Sequence, residues 1–252
     1  MNSKKLIEKW SKHWDKMGKH SNVIEQVNRD NASINKDVDY LKKKLAIKKT
    51  DKLADFCCGN GMVTERISHL CTHIVGLDFS KKLIESTKQL YGKEKAIGFK
   101  KADITKTEFP DKSFDKVYCL TSFHYFPSTE YAHTVIEEMI RITKNNGKII
   151  ITDIPNKKSF WYLVWKIIRN PNPDQAIELC ELRPNQSMFS RTMQRLTLIL
   201  RRLTKKKVES DNWRWFTPSE FQSLEKIDVK IEKSNFKNKF FNYRFNIIIT
   251  KS

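Results

Sequence analysis

Between about residue 50 and residue 155, short apolar runs alternate with polar windows of helical length. "KLADFCC" predicts a first strand that ends in a glycine turn, "GMVTERISHLC" the helix after it, and "HIVGLDFS" a second strand ending at an acidic residue. "KKLIESTKQLYG" places Leu83, Ile84, Thr87 and Leu90 on one helical face, with Gly92 as its stop. "AIGFKKADI" and "FDKVYCLTS" predict the third and fourth strands. "YAHTVIEEMIRIT" predicts a helix stopped by "KNNG", and "KIIITDI" a fifth strand ending at Pro155. Strands this apolar, without clean alternation, belong to a sheet covered on both faces, and their regular exchange with helices is the βα signature of a parallel sheet.

The pattern changes on either side of this core. Residues 1–49 read as an N-terminal helical cap, in which Trp10, His13, Trp14 and His20 suit either a flap over a ligand or a helix packed on the sheet. Residues 156–210 read as a basic helical insertion. Within it "SFWYLVWKIIRN" is apolar nearly all round, "NPNP" breaks the chain, and "RTMQRLTLILRRLTKKK" sets Met193, Leu196, Leu200 and Leu203 opposite Arg191, Arg195 and Arg202. Residues 211–252 return to α/β character, with a helix opening at "TPSEFQSLEKI" and two strands, "IDVKIEKS" and "YRFNIIITKS", that pair with each other and extend the sheet.

Composition narrows the partners. The 252 residues carry a formal net charge of +19, which favours an anionic partner: nucleic acid, a phosphorylated small molecule or an acidic membrane surface. Five cysteines without a CxxC pair read as reduced thiols in a cytoplasmic setting, and the N-terminus lacks the apolar stretch of a secretory signal.

The chemistry concentrates at strand ends. Gly59 and Gly61 end the first strand and let backbone NH groups approach a ligand; Asp78 ends the second, where a carboxylate can accept both hydroxyls of a ribose. Two adenosine-containing ligand classes compete. A dinucleotide fingerprint wants a third glycine where Thr64 stands, whereas an S-adenosylmethionine site needs an acid near the amino-acid end, and Asp55 meets that need.

Taken in order, "DFCCGNG", Asp78, "KADITKTEFPDKSFDKVYC", "TSFHYF" and "MIRITKNNGKIIITD" resemble the successive motifs of class I S-adenosylmethionine-dependent methyltransferases of the small-molecule type. The resemblance implies a Rossmann-like α/β fold: a seven-stranded, mostly parallel sheet with helices on both faces, an antiparallel last strand, and a helical lid after the fifth strand. It implies S-adenosyl-L-methionine as cofactor and S-adenosyl-L-homocysteine as product. Asp55, Gly59 and Gly61 would border the methionine end, Asp78 the ribose, Phe79 the adenine face, Asp103 and the Ile104 NH the adenine edge, and Thr121 with Ser122 the sulfonium. Cys57 stands where the family usually has glycine, which implies a bulkier loop.

Methyl transfer is an in-line displacement, so the protein positions the acceptor and removes a proton. His124 and Tyr125, just after the fourth strand, and Asp153, at the end of the fifth, are the candidate catalytic residues; His124 also reads as a structural histidine and Asp153 as a turn former. His69, Cys71 and His73 form an HxCxH pattern, but a helix-to-strand transition inside it makes the side chains diverge, and no metal site is expected. "NWRWFTPSEF" suits either an acceptor-pocket lining or core packing. The basic insertion favours an anionic, glycan- or lipid-associated small-molecule acceptor, with peripheral contact at an anionic inner-membrane face as one option. A nucleic-acid acceptor is favoured by charge but lacks the Pro-Pro-aromatic or Pro-Cys signatures, and a cofactor-binding protein without catalysis is the third reading.

Overall fold

Helix α1, Asn31–Leu45, turns Ile34, Leu41 and Leu45 inward and ends on three lysines, Lys42, Lys43 and Lys44, whose charge suits a helix carboxyl end. The computed structural model describes residues 8, 10, 12–15, 31–159, 169, 214, 216–221, 227–233 and 244–251. After α1 come β1 (Lys52–Phe56), α2 (Met62–Ser68), β2 (His73–Asp78), α3 (Lys81–Tyr91), β3 (Ile97–Lys101), β4 (Phe114–Leu120), α4 (Thr129–Ile142), β5 (Thr143–Pro155), β6 (Ile227–Lys233) and β7 (Arg244–Lys251). Serines cap two of the helices: Leu83 N donates to Ser80 Oγ at 3.2 Å and Tyr131 N to Ser128 Oγ at 3.0 Å.

The strands form one seven-stranded sheet in the order β3-β2-β1-β4-β5-β7-β6. β1 to β5 pair in parallel, and β7 runs antiparallel to both β5 and β6. The last two strands therefore pair with each other and extend the sheet, as their sequence pattern predicts. Both faces are covered. On β4, Val117 and Cys119 join the cluster that includes Ala132, Val135, Ile136 and Met139 of α4, while Tyr118 between them joins Leu41, Ile67 and Ile84 of the helices opposite. Because β1 lies between β2 and β4, connections leave it in opposite directions, and the crevice at the carboxyl ends of β1 and β4 is the topological switch point where open α/β sheets bind ligands.

Several expectations are corrected. Leu90 is 56% exposed, and the next residue, Tyr91, packs against the core instead, 6.4 Å from the Phe99 ring. The third strand ends at Lys101, so Ala102 to Ile104 form a loop rather than its continuation. "KNNG" does not follow α4 as a separate turn: β5 starts at Thr143, directly after Ile142, and the register jumps from Phe114–Thr143 to Lys116–Lys148, with Asn146 at φ 61° in the excursion between. Of the helix expected at "TPSEFQSLEKI", Pro218–Phe221 form a 3-10 turn, and residues 222–226 lie outside the described residues. Apart from residues 156–159 and 169, the basic insertion at 156–210 also lies outside them, as does His20. Among the described residues no helix is long and apolar enough to cross a membrane.

Candidate functional site

The carboxyl ends of β1, β2 and β4 bring Asp55, the glycine loop, Asp78, Thr121 and Ser122 to one edge. Asp55 is buried, and its Oδ2 accepts the Thr64 hydroxyl proton at 2.6 Å. Burial pushes its carboxyl up to about 7; the Thr64 and Tyr118 hydroxyls pull it down and the charge of Asp78 adds to the rise. Asp78 is buried too, and ties two elements together: Gly59 N donates to its Oδ2 at 3.0 Å and Ser80 N to its Oδ1 at 2.9 Å. Burial pushes Asp78 up to about 6 against the pull of these NH groups.

The loop has the conformation a cradle requires. Gly59, at φ 54°, has nothing within 4 Å of where a Cβ would stand, whereas a Cβ on Gly61, at φ 72°, would lie 3.0 Å from Phe99 and Thr87. Gly59 thus faces open space and Gly61 lets α2 close on the sheet. Cys57 adopts φ 60°, so the loop keeps the left-handed backbone that a glycine would take, with the Cys57 thiol interacting with Cys119 and Ser122. Cys58 packs beneath β2, its sulfur 2.9 Å from the position of a Cβ on Gly76. Burial pushes the Cys58 thiol well up, and contact with Cys119 followed by burial does the same for Cys57, which makes both poor nucleophiles. Replacing Cys57 by glycine trades about 1–2 kcal/mol of left-handed strain against about 0.5–1 kcal/mol of unfolded-chain entropy. Unfolding experiments on Cys57→Gly are expected to show a gain of about 1 kcal/mol or less, with ligand affinity changed by less than about threefold.

Further along the edge, Phe79 is half-buried and Ile104 buried; Asp103 is exposed, with its Oδ1 accepting from Thr105 N at 2.9 Å and Thr105 Oγ1 at 2.7 Å. Thr121, at φ 52°, donates its NH to Thr152 O at 3.3 Å, and Ser122 Oγ donates to Leu120 O at 2.8 Å. A 3-10 turn, Phe123–Tyr125, then presents His124 and Tyr125, whose rings lie 4.0 Å apart. The N-terminal helix reaches this turn: Trp10, buried, meets the Tyr125 ring edge-on at 4.5 Å and Trp14 does so at 5.5 Å. Asp15 accepts the Ser80 hydroxyl proton at 2.6 Å beside Asp78.

His124 and Asp153 are both buried. Burial, reinforced by the positive charge of Arg244, holds the His124 imidazole well below its ordinary range and therefore neutral. Asp153, at φ 64°, pairs with Arg244, and its NH donates to Asn246 Oδ1 at 2.9 Å. Arg244, Asn246 and Asp15 escape the sequence reading. A basic and an amide residue two apart at the head of an apolar strand, "RFNIII", are a legible signal for the first two; Asp15 carries none. The HxCxH residues do diverge: His69 contacts Glu65 at 3.1 Å on the surface, while the Cys71 thiol is buried and donates to Ile67 O at 3.5 Å.

Comparison with known proteins bears directly on this edge. Residues 54–151, which run from β1 into β5, match the family model described as a methyltransferase domain. Over those residues, the chain carries a methyltransferase domain of that description. It is 30% identical over 139 residues to a demethylmenaquinone methyltransferase of Lactobacillus johnsonii, covering 51% of this chain and 56% of that one. To the 27-O-demethylrifamycin SV methyltransferase of Amycolatopsis mediterranei it is 29% identical over 119 residues, covering 46% and 43%. The chain thus spans about half the length of these curated relatives. In fold it is similar to the Haemonchus contortus phosphoethanolamine N-methyltransferase 1, solved with phosphoethanolamine and S-adenosylhomocysteine, at a TM-score of 0.67 and 13% identity over 99% of this chain and 50% of that one. The residues that the sequence resemblance implies for a cofactor lie in or beside the carboxyl edge of β1 to β4.

Proposed function

We propose that the chain transfers a methyl group from S-adenosylmethionine to an oxygen or nitrogen of a small-molecule acceptor, with His124 as the proton acceptor. The observation that carries this reading is the join at the switch point, where one buried carboxylate, Asp78, grips the glycine loop through Gly59 N and the start of α3 through Ser80 N, with Asp55 buried beside it. These residues fit an S-adenosyl group. The space over Gly59 admits what a Cβ would fill, and Asp55 offers a buried negative charge to an ammonium. The cofactor, when bound, supplies the methyl group activated on a sulfonium. Asp55 would hold the amino-acid end, Asp78 the ribose, Phe79, Asp103 and Ile104 the adenine, and Cys57, Gly61, Thr121 and Ser122 the floor. Trp10 and Trp14, closing on Tyr125, would exclude water.

A small-molecule acceptor is supported by the relatives, whose names specify demethylmenaquinone, 27-O-demethylrifamycin SV and, in an Aspergillus fumigatus enzyme, a sterol. The net charge of +19 supports an acceptor with an anionic or lipid-associated portion outside the reacting centre, and a peripheral position at an anionic membrane face. Incubation with methyl-labelled S-adenosylmethionine and a cell extract is expected to place label in the small-molecule fraction. Label confined to RNA would overturn the choice of acceptor class.

A further inference from the structure

The connection from β3 to β4, residues 102–113, carries Asp103 and Ile104 and contains neither helix nor strand. At its start Ala102 N donates to Asp78 O at 3.0 Å, which sets the loop beside the carboxyl end of β2. Asp103 then closes a tight turn: its Oδ1 accepts from Thr105 N and Thr105 Oγ1, and its carbonyl accepts from Lys106 N at 3.2 Å. No ladder fixes such a segment, so its shape depends on side chains. Two side chains of α4, three residues apart and so on one helical face, supply the join. Glu138 is buried, and its Oε1 accepts from Thr107 N at 2.6 Å, from the Thr107 hydroxyl and from Arg141 Nη2 at 2.8 Å, while its Oε2 accepts from Arg141 Nε at 2.8 Å. The Arg141 fork continues along the loop. Its Nη2 donates to Phe109 O at 2.9 Å and Thr107 O at 3.3 Å, and its Nη1 to Asp111 Oδ1 at 2.6 Å. Burial would raise the Glu138 carboxyl, but the bonds from Arg141 and Thr107 hold it below the ordinary range, so it stays charged.

We infer that Glu138 and Arg141 are positioning residues for the base of the cofactor: by fixing loop 102–111 they give the protein its preference for adenine over a base that carries oxygen in place of the 6-amino group. The inference rests on the proposed S-adenosylmethionine reading, in which Asp103 meets the adenine edge, and deepens it. A carboxylate only accepts hydrogen bonds, the adenine 6-amino group donates, and the 6-oxygen of hypoxanthine accepts, so Asp103 favours adenine as long as it stays in place. Asp103 is exposed and its own bonds reach no further than Lys106, so nothing within the turn anchors it to the rest of the fold. Selective contacts require their groups to be held within about 0.5 Å. A loose loop can shift to accept from the N1–H of hypoxanthine instead, and the preference disappears. The anchors stand on both sides of the turn: Asp78 O before it, and the Glu138–Arg141 pair after it at Thr107, Phe109 and Asp111. Ile104, buried between them, packs in the same cluster as Val135, Ile136 and Met139 of α4.

The test titrates the full chain in a calorimeter with S-adenosylhomocysteine and with S-inosylhomocysteine, in which an oxygen replaces the 6-amino group. The wild type is expected to bind the adenine ligand at least about tenfold more tightly. Glu138→Ala, which releases Thr107 and frees Arg141 from its anchor, is expected to shrink that preference below about threefold. Glu138→Gln keeps the side chain's size and an acceptor for Thr107 but sets an amide NH2 against Arg141 Nε; it guards against simple unfolding and is expected to at least halve the preference. Asp103→Ala marks the floor, with no preference at all. A merely structural pair would weaken both ligands alike and leave their ratio unchanged, and that result overturns the inference. So does a wild type that binds the two ligands equally. If S-adenosylhomocysteine does not bind the wild type, the S-adenosylmethionine reading itself fails, which is distinct from binding without a base preference.

Discussion

Asp55→Asn is expected to stabilise the unliganded protein at pH 8 while weakening its hold on the cofactor. Held near 7 against an ordinary value of 3.8, the Asp55 carboxyl binds its proton more tightly in the folded chain than in the unfolded one. Its contribution is therefore fully favourable below about pH 4 and is lost as pH rises towards 7, a difference on the order of 4 kcal/mol at pH 8. Asparagine keeps an oxygen for the Thr64 hydroxyl and removes the charge. Thermal unfolding at pH 8 is expected to rise by about 5–10 °C, with little change near pH 4. S-adenosylhomocysteine affinity is expected to drop by about 30- to 100-fold, the value of a charge-assisted hydrogen bond to a buried group. For the wild type the same linkage makes affinity fall as pH drops through 7, because the ligand must then displace a proton. A purely structural Asp55 would show the opposite signs: a lower melting temperature for the asparagine variant and unaltered binding.

The second large effect belongs to the Arg244–Asp153 pair. Removing one member of a buried pair leaves an uncompensated charge in a site that water does not reach, which costs about 3–5 kcal/mol. Arg244→Met is expected to lose that much in denaturant unfolding. Adding Asp153→Asn removes the orphaned charge while keeping a side chain that tolerates φ 64°, and is expected to restore at least about 2 kcal/mol. A loss below about 1 kcal/mol in the single variant would mean that the pair does not hold the end of β5 in place.

The five parallel strands and their helices were legible because the chain reports burial directly: apolar runs of strand length, helical windows with one apolar face, and glycine at the loop. That the motif residues gather at one edge was legible for the same reason, since residues at the carboxyl ends of parallel strands share an edge. Three things were hidden. The backbone at Cys57 takes the left-handed shape expected of glycine, which no side-chain pattern announces. Leu90 obeys helical periodicity, yet it is exposed while the neighbouring Tyr91 packs against the core. Asp153 reads as a turn residue before Pro155, and only the register of β7 reveals that Arg244 and Asn246 hold it on a bulge. Contacts made across 91 residues leave no trace in local spacing.

Titration calorimetry with S-adenosylhomocysteine tests the central claim most directly. One ligand is expected to bind per chain with a dissociation constant on the order of micromolar, falling in affinity at least about tenfold in Asp78→Ala, which severs the loop from α3. Absence of binding to the wild-type chain, or binding that Asp78→Ala leaves unchanged, would contradict the assignment of the carboxyl edge of β1 to β4 as an S-adenosyl site.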